Sequence, residues 1–211
     1  YANNRDLLNG ETSHLGSHIK FGTLSIREVY HACSTELFRR QLYWRDFYHQ
    51  IGFHFPEVYG NNFKHIIKWE NDNKKFKKWC NGETGYLIVD ACMKQMNASG
   101  FMPNRGRMIV ASFLTKILHI DWRWGEKYFA SRLTDYDPAN NNSGWQWSAG
   151  TGVDAQPYFR IFNPYLQSAK FDKEAVFIKS VIPELKDVNT KLIHTENGVQ
   201  SNIFLDYPKQ I

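Results

Sequence analysis

The chain has 211 residues, of which 42% are hydrophobic, and it carries a net charge of +5 with a pI near 9.0. This length fits one domain with its own core, and the positive charge favours a polyanionic partner, so we predict a single domain over residues 1–211. The chain shows no long apolar run, no signal-peptide pattern and no CxxC pair among its three cysteines, so we expect an intracellular protein without a membrane partner.

The first quarter of the chain predicts loops followed by a long helix. Residues 1–23 read as loop, and the capping box of Ser25 and Glu28 predicts the start of a short helix. A longer helix is predicted from about residue 34 to residue 54, before Pro56. Its face forms either the wall of a pocket or a partly solvated surface around a core tryptophan. That face carries Leu37, Gln41, Trp44, Arg45 and Tyr48.

Five further helices are predicted downstream. They comprise a basic segment at residues 61–81, a helix at residues 86–100, one that starts at Pro103, one capped by Asp121 and one at residues 172–181. The remainder to residue 211 is predicted to be polar and irregular. No convincing set of strands is found, so the predicted fold class is all-α.

Residues 132–164 do not have the composition of a segment that packs into a hydrophobic core. They contain two aspartates one residue apart, three consecutive asparagines and several aromatic residues, and neither helical nor strand periodicity is visible. A long segment without periodicity is either a disordered linker or an ordered loop that builds a site. Disordered linkers are poor in aromatic residues, so we predict an ordered loop wrapped around a ligand.

This segment closely resembles the flavin-binding signature of the DNA photolyase and cryptochrome family. The matching residues are Asp135, Asp137, Asn141, WQW at 145–147, GTG at 150–152 and YFRIFNP at 158–164. The similarity continues over nearly the whole chain, including WRDFY at 44–48 and NRGRM at 104–108. It implies the helical FAD-binding half of a class I cyclobutane pyrimidine dimer photolyase, without the α/β half that carries the antenna pigment.

The resemblance also implies which residues hold FAD. Arg107 would pair with Asp135 beside the isoalloxazine, Asp137 would bond the polar edge of that ring, and Asn141 would lie near its N5 atom. A guanidinium and an amide near the ring would stabilise the anionic reduced flavin. Further cofactor contacts are implied for Tyr1, Thr12, Ser13, His14, Leu15, Gly16, Gln41, Arg45 and Asn104.

Other positions are implied to act in electron transfer and DNA binding. Trp145, Trp122 and Trp69 match the electron-transfer chain of the family, and with Asn141 and Gln41 they form the implied catalytic set. Trp44 and Trp147 would stack against a pyrimidine dimer that is flipped out of the duplex. The remaining implied contacts to the lesion and to phosphates are Arg5, Asn104, Arg105, Met108 and Arg160.

The implied reaction is a light-driven carbon–carbon lyase reaction, in which excited reduced flavin lends an electron to the dimer and recovers it after the ring splits. Gln41 stands where such enzymes usually have glutamate, and a glutamine at this position resembles cryptochromes and (6-4) enzymes instead. Pro103, however, occupies the position of the histidine that (6-4) repair requires. Gly16, Phe38 and Phe101 replace a common serine and two common tryptophans, which implies a looser pocket.

We therefore predict an FAD-dependent, blue-light-driven repair enzyme for cyclobutane dimers. Two alternatives stay open: a cryptochrome-like light sensor without repair activity, and a flavin-free DNA-binding remnant. The expected partners are UV-damaged DNA and a separate chain that carries the antenna half, and the expected oligomeric state is a monomer. A folate or deazaflavin antenna is not expected on this chain. No metal is predicted, because His14 and His18 have metal-like spacing but no third ligand.

Overall fold

A computed structural model of the protein describes residues 4–10, 12–157, 159–200 and 207–211, and the regular elements in these residues are all helices. The all-α prediction is therefore confirmed. A π-helical segment, Phe113–Ile117, continues α6, and 3₁₀ turns lie at Pro56–Val58 and Pro183–Leu185. The α-helices are α1 Leu15–Lys20, α2 Ile26–Ala32, α3 Glu36–His54, α4 Asn73–Asn81, α5 Leu87–Ser99, α6 Asn104–Ser112, α7 Trp122–Arg132, α8 Pro138–Ala149, α9 Pro164–Phe171, α10 Val176–Val181 and α11 Thr190–Ile193.

Local capping chemistry sets the helix ends that the sequence predicted. The Ser25 side chain and the Glu28 carboxylate form a capping box at the start of α2, where Glu28 accepts from the Ser25 backbone N–H at 3.1 Å. Asp121 caps α7 by accepting from the Arg123 N–H at 3.0 Å. Gly100 ends α5 in the left-handed conformation, with a φ of 70°, which a glycine adopts without strain.

The prediction that residues 132–164 form a loop is wrong for their central part, because residues 138–149 form α8. Asp137 starts this helix by accepting from the Asn140 N–H at 3.0 Å, Pro138 occupies its first turn, and Gly150 ends it with a φ of 87°. The helix has no apolar stripe, because polar side chains such as Asn142 and Gln146 are buried alongside the apolar ones. A helix that is buried on several sides shows no hydrophobic period in its sequence.

Three other predictions need correction. The helix expected over residues 61–81 begins only at Asn73, because Asp72 accepts the N–H groups of Lys74 and Lys75 and so caps the chain there. Residues 1–23 are not all loop, since they contain α1. The helix expected over residues 172–181 begins at Val176, because the Asp172 carboxylate accepts N–H groups farther along the chain.

The region after residue 163 is also more ordered than predicted. It contains α9 and α11, neither of which was predicted, and it buries Val188, Ile193 and Val199. The Tyr207 hydroxyl donates to the fully buried carboxylate of Asp90 at 2.9 Å. This hydrogen bond fixes the position of Tyr207 against α5. Burial raises the pKa of Asp90.

The core surrounds α5, whose Val89, Cys92, Met93 and Met96 have no exposed surface. Next to it, α7 and α8 approach each other closely, because a Cβ atom on Gly125 would lie 2.2 Å from the Trp145 ring. This packing fixes the position of α8 and of the side chains it carries. In the described ranges, no helix is both long and apolar enough to span a bilayer, and no cluster of three His, Cys, Asp or Glu side chains could hold a metal.

Candidate active-site cavity

A cavity of about 390 Å³ lies between α3, α6 and α8. Its volume is in the range of small-molecule sites, which is about 300–1,000 Å³. The structure brings together eleven of the residues that the sequence singled out, although they come from distant parts of the chain. They are Arg5, Gln41, Trp44, Asn104, Arg107, Met108, Asp135, Asp137, Asn141, Trp145 and Trp147.

An ion pair between Arg107 and Asp135 forms one wall. The Arg107 Nη2 atom donates to both carboxylate oxygens of Asp135, at 2.9 and 2.8 Å, and its Nε atom donates to the Met102 carbonyl at 2.8 Å. Gly16 packs against the same carboxylate, because a Cβ atom there would lie 2.9 Å from Asp135 Oδ2. The pairing of Arg107 with Asp135 that the resemblance implied is thus present.

Asp137 has two structural roles at the edge of the cavity. Its Oδ1 atom accepts from the backbone and side chain of Asn140, and its Oδ2 atom lies 2.9 Å from His49 Nε2. Burial by itself would raise the pKa of Asp137, but the hydrogen bonds from Asn140 and the nearby His49 outweigh it and lower that pKa. Asp137 therefore stays ionised, caps α8 and links α8 to α3.

Asn141 is held by Glu126, a residue that the sequence did not single out. The Asn141 Nδ2 atom donates to Glu126 Oε1 at 3.0 Å, and the Tyr136 hydroxyl donates to the same oxygen at 3.1 Å. Burial, together with the charge of Glu126, raises the pKa of Tyr136 to about 12. This network fixes the orientation of the Asn141 amide at the cavity.

Aromatic rings line the mouth and the inner wall. Trp44 is 43% exposed, and its ring lies 5.9 Å from Tyr48, nearly parallel to it. Trp145 is 2% exposed and forms the inner wall with Phe129. Gly144 also lines the cavity, and no heavy atom lies within 4 Å of where its Cβ would be, so this part of α8 leaves open space.

Several residues with predicted cofactor contacts lie outside the cavity. The buried Thr12 hydroxyl has no hydrogen-bond partner in the described structure, and Ser13 and His14 are exposed, with the His14 ring 4.8 Å from Phe101. Leu15 lines a separate apolar groove between α2 and α3, and Arg45 pairs with Asp46. Tyr1 lies outside the described residues.

Two arginines with predicted phosphate contacts have different surroundings. Arg105 donates to Asp6 at 2.9 Å and stacks over Phe171 at 4.2 Å, so its guanidinium already has partners within the protein. Arg160 is exposed and lies 5.7 Å over Phe162. Arg160 is thus directly accessible to a phosphate, whereas Arg105 would have to exchange a partner.

The three tryptophans of the implied electron-transfer chain are all at least partly buried. Trp122 is 1% exposed and donates to Asn62 at 2.9 Å, and the Trp69 indole nitrogen has no partner in the described residues. Within the described ranges these three rings make no direct ring contact with one another. Trp145 instead contacts Trp79, at a centroid distance of 6.0 Å.

Sequence reasoning missed part of the site. His49 and Glu126 stand behind Asp137 and Asn141. The signal that could have found the α8 residues is helical spacing, because Asn140, Asn141, Gly144 and Ser148 recur at steps of three and four. The cavity-lining residues not proposed as contacts are Tyr48, Ala111, Phe129, Tyr136, Asn140, Gly144, Ser148 and Asp154.

Known proteins similar to this chain include several DNA photolyases. A deoxyribodipyrimidine photo-lyase of Vibrio cholerae is 49% identical over 198 residues, which cover 87% of this chain and 42% of that protein. An archaeal photolyase from Sulfolobus tokodaii, solved with two FAD molecules, superposes with a TM-score of 0.93 at 45% identity, over 100% of this chain and 49% of that chain. A class III photolyase from Agrobacterium tumefaciens superposes with a TM-score of 0.91 at 42% identity, over 99% of this chain and 48% of that chain.

The chain thus spans about half the length of the relatives it matches. Those relatives include an archaeal photolyase and a class III photolyase, so membership of class I does not follow from them. A family model described as the FAD binding domain of DNA photolyase matches residues 38–211. This chain therefore belongs to the family of the FAD-binding domain of DNA photolyase.

Proposed function

We propose that the chain binds FAD in the cavity and uses blue light to repair cyclobutane pyrimidine dimers in DNA. The observation that carries this proposal is one cavity that combines the Arg107–Asp135 pair and Asn141 with an exposed indole, Trp44, at its mouth. Curated relatives named deoxyribodipyrimidine photo-lyase, at 40–49% identity, support it. Asn104 and Met108, which the resemblance implies as contacts to the dimer, line the same cavity.

The residues present fit FAD chemically. Trp145 and Phe129 offer an apolar wall for a flat ring, and Arg107 and Asn141 offer polar groups at its edge. The buried and unpartnered Thr12 hydroxyl is available to a polar group such as a phosphate or a ribityl hydroxyl. Bound FAD would supply the electron that light excites, and the chain would supply orientation and charge.

The charges around the cavity suit an anionic reduced ring. Arg107 contributes a cation, and it is fixed by Asp135 and the Met102 carbonyl, so little motion is needed when charge develops. Asn141 is fixed by Glu126 and can respond to the protonation state of a ring nitrogen. We propose that these two residues set the reduction potential of the cofactor.

The cavity mouth suits a flipped pyrimidine dimer. Trp44 and Trp147 offer flat faces for two bases, and such stacking contributes about 1–3 kcal/mol per base. Gln41 donates its amide nitrogen to the Leu37 carbonyl at 3.2 Å, so its amide oxygen remains to accept from a base N–H. Arg5 and Arg160 are proposed to contact phosphates, and Arg105 is proposed to do so after leaving Asp6.

The test uses purified protein, loaded with FAD and chemically reduced, and UV-irradiated oligothymidylate. Dimers should disappear under blue light and persist in the dark, and the Trp44→Ala variant should bind the irradiated DNA more weakly. Protein that takes up FAD but leaves the dimers intact would act as a light sensor instead. Protein that takes up no FAD would overturn the proposal. We also propose that this chain is a monomer on its own, which a sizing column run on the same sample tests.

A further inference from the structure

A continuous set of aromatic rings leads from the cavity wall into the core. The Trp145 ring lies 6.0 Å from Trp79 and 5.0 Å from Phe129, and Trp79 in turn stacks on Phe129 at 6.2 Å. Trp79 has no exposed surface, and its indole nitrogen donates to the Val110 carbonyl at 3.1 Å. Trp79 is thus held rigidly behind the wall of the cavity, and the proposed function assigns it no role.

The same set of rings continues from Trp79 to the surface. Phe76 stacks on Trp79 at 5.8 Å with an interplanar angle of 18°, and the Trp124 ring lies 5.2 Å from Phe76. Phe76 and Trp124 are both partly exposed. One phenyl ring therefore joins a buried indole to an indole that solvent can reach.

The surface formed by α4 and α7, the helices that carry Phe76 and Trp124, has more cations than acids. The sequence of α4 contains no acid, and Glu126 is the only acid in α7, where it is hydrogen-bonded to Asn141. Asp72 and Asp121 start α4 and α7 and accept the first N–H groups of these helices, and Asp121 also pairs with Arg123 at 3.0 Å. Such a surface raises the local concentration of anions. Its exposed cations are Lys74, Lys77, Lys78, Lys127 and Arg132.

We propose that Trp79 and Trp124 form a second path for electrons into the cavity, and that the basic α4–α7 surface docks a small anionic one-electron donor. The proposal rests on the proposed function, since it requires an excited oxidised flavin as the electron acceptor. Trp145 gives one electron to that acceptor, Trp79 refills Trp145, Trp124 refills Trp79, and the donor refills Trp124. One electron moves inward, the donor is oxidised, and no covalent bond changes.

Trp124 suits the outer position better than Tyr128, which also contacts Trp79, at 5.8 Å. A tyrosine must release its phenolic proton when it is oxidised. The Tyr128 hydroxyl donates to the Cys80 carbonyl and to the Asn97 amide oxygen, and neither group is a base. Burial also raises the pKa of Tyr128. An indole can pass on an electron without releasing a proton first, so Trp124 needs no base beside it.

The first test is flash spectroscopy of the oxidised, FAD-loaded protein with ferrocyanide as the anionic donor. In the Trp69→Phe variant, a tryptophan radical should still form, and ferrocyanide should shorten its lifetime. The second-order rate constant for the reaction of this radical with ferrocyanide should fall roughly tenfold between low and high salt, because salt screens the attraction between the donor and the basic surface. In the Trp69→Phe/Trp124→Phe variant, ferrocyanide should no longer shorten the lifetime. The proposal is overturned if Trp69→Phe alone removes the ferrocyanide response, or if adding Trp124→Phe does not change it.

A second test uses flavin-free protein. The Trp124 contribution is the part of the fluorescence that is absent from Trp124→Phe. The ratio of its quenching by iodide to that by caesium should exceed the same ratio for free N-acetyltryptophanamide, and Lys77→Gln and Lys127→Gln should each lower it. A ratio equal to that of free N-acetyltryptophanamide would overturn the docking surface. Dimer repair by chemically reduced wild-type protein checks the proposed function separately, because a flavin that is already reduced needs no inward electron. Loss of repair in chemically reduced wild type would refute that function instead.

Discussion

Replacing Arg107 with methionine should destabilise the protein by about 2 kcal/mol. Surface ion pairs contribute about 0–1 kcal/mol, whereas breaking a buried pair costs about 3–5 kcal/mol. The side chains of Arg107 and Asp135 are 27% and 16% exposed, so this pair lies between the two cases. The substitution also leaves the Met102 carbonyl without its donor. For a chain of this size, about 2 kcal/mol corresponds to a fall in Tm of roughly 4–8 °C.

The assay is urea unfolding of flavin-free protein, with Arg45→Met as the matched control. Arg45 pairs with Asp46 at 3.4 Å, but Asp46 is 64% exposed, so this variant should change stability by less than about 0.5 kcal/mol. The Arg107→Met/Asp135→Leu variant should recover part of the loss, because no unpaired carboxylate remains. Equal effects of Arg107→Met and Arg45→Met would refute the reasoning.

Three further substitutions probe the site and its support. Trp44→Ala should weaken binding of dimer-containing DNA by about 1–3 kcal/mol in a band-shift titration, and an unchanged affinity would argue against stacking. Asn141→Asp puts a second carboxylate beside Glu126 and should lower the reduction potential of bound flavin in a potentiometric titration; an unchanged potential would contradict this. Burial lowers the pKa of Lys116 from 10.5 to about 8. Between about pH 8 and pH 10.5 the unfolded chain therefore binds more protons than the folded chain, so the free energy of unfolding should rise with pH. The urea midpoint of Lys116→Met should not increase over this pH range. If it increases as in the wild type, other groups cause the pH dependence.

The sequence predicted best those elements whose ends are set by local chemistry. The capping residues Ser25 and Asp121 and the terminating Gly100 each act within a few residues of themselves, so their effect is visible in the sequence. The helix α8 was missed because several of its polar side chains are buried. Gln146, for example, donates to the Val58 and Asn61 carbonyls, more than 80 residues away. A hydrogen bond over that distance leaves no periodic signal in the sequence.

The same distinction applies to the site. The family signature identified residues that face the cavity, such as Asp135 and Asn141, and the structure brings them together. The residues that hold them could not be found in this way, because His49 and Glu126 contact Asp137 and Asn141 across the fold. The ring contact between Trp145 and Trp79 could not be predicted from the sequence either, because the two residues are 66 positions apart in the chain.

The cavity has a consequence for how the protein can be monitored. Its lining comes from segments near residues 5, 44, 107 and 145, so no single stretch of chain can form it in advance of the rest. A ligand that binds only the finished cavity stabilises the native state in proportion to the logarithm of its concentration. With the proposed flavin as that ligand, the amount that stays bound to a variant through gel filtration after heating would report how much of the population is correctly assembled.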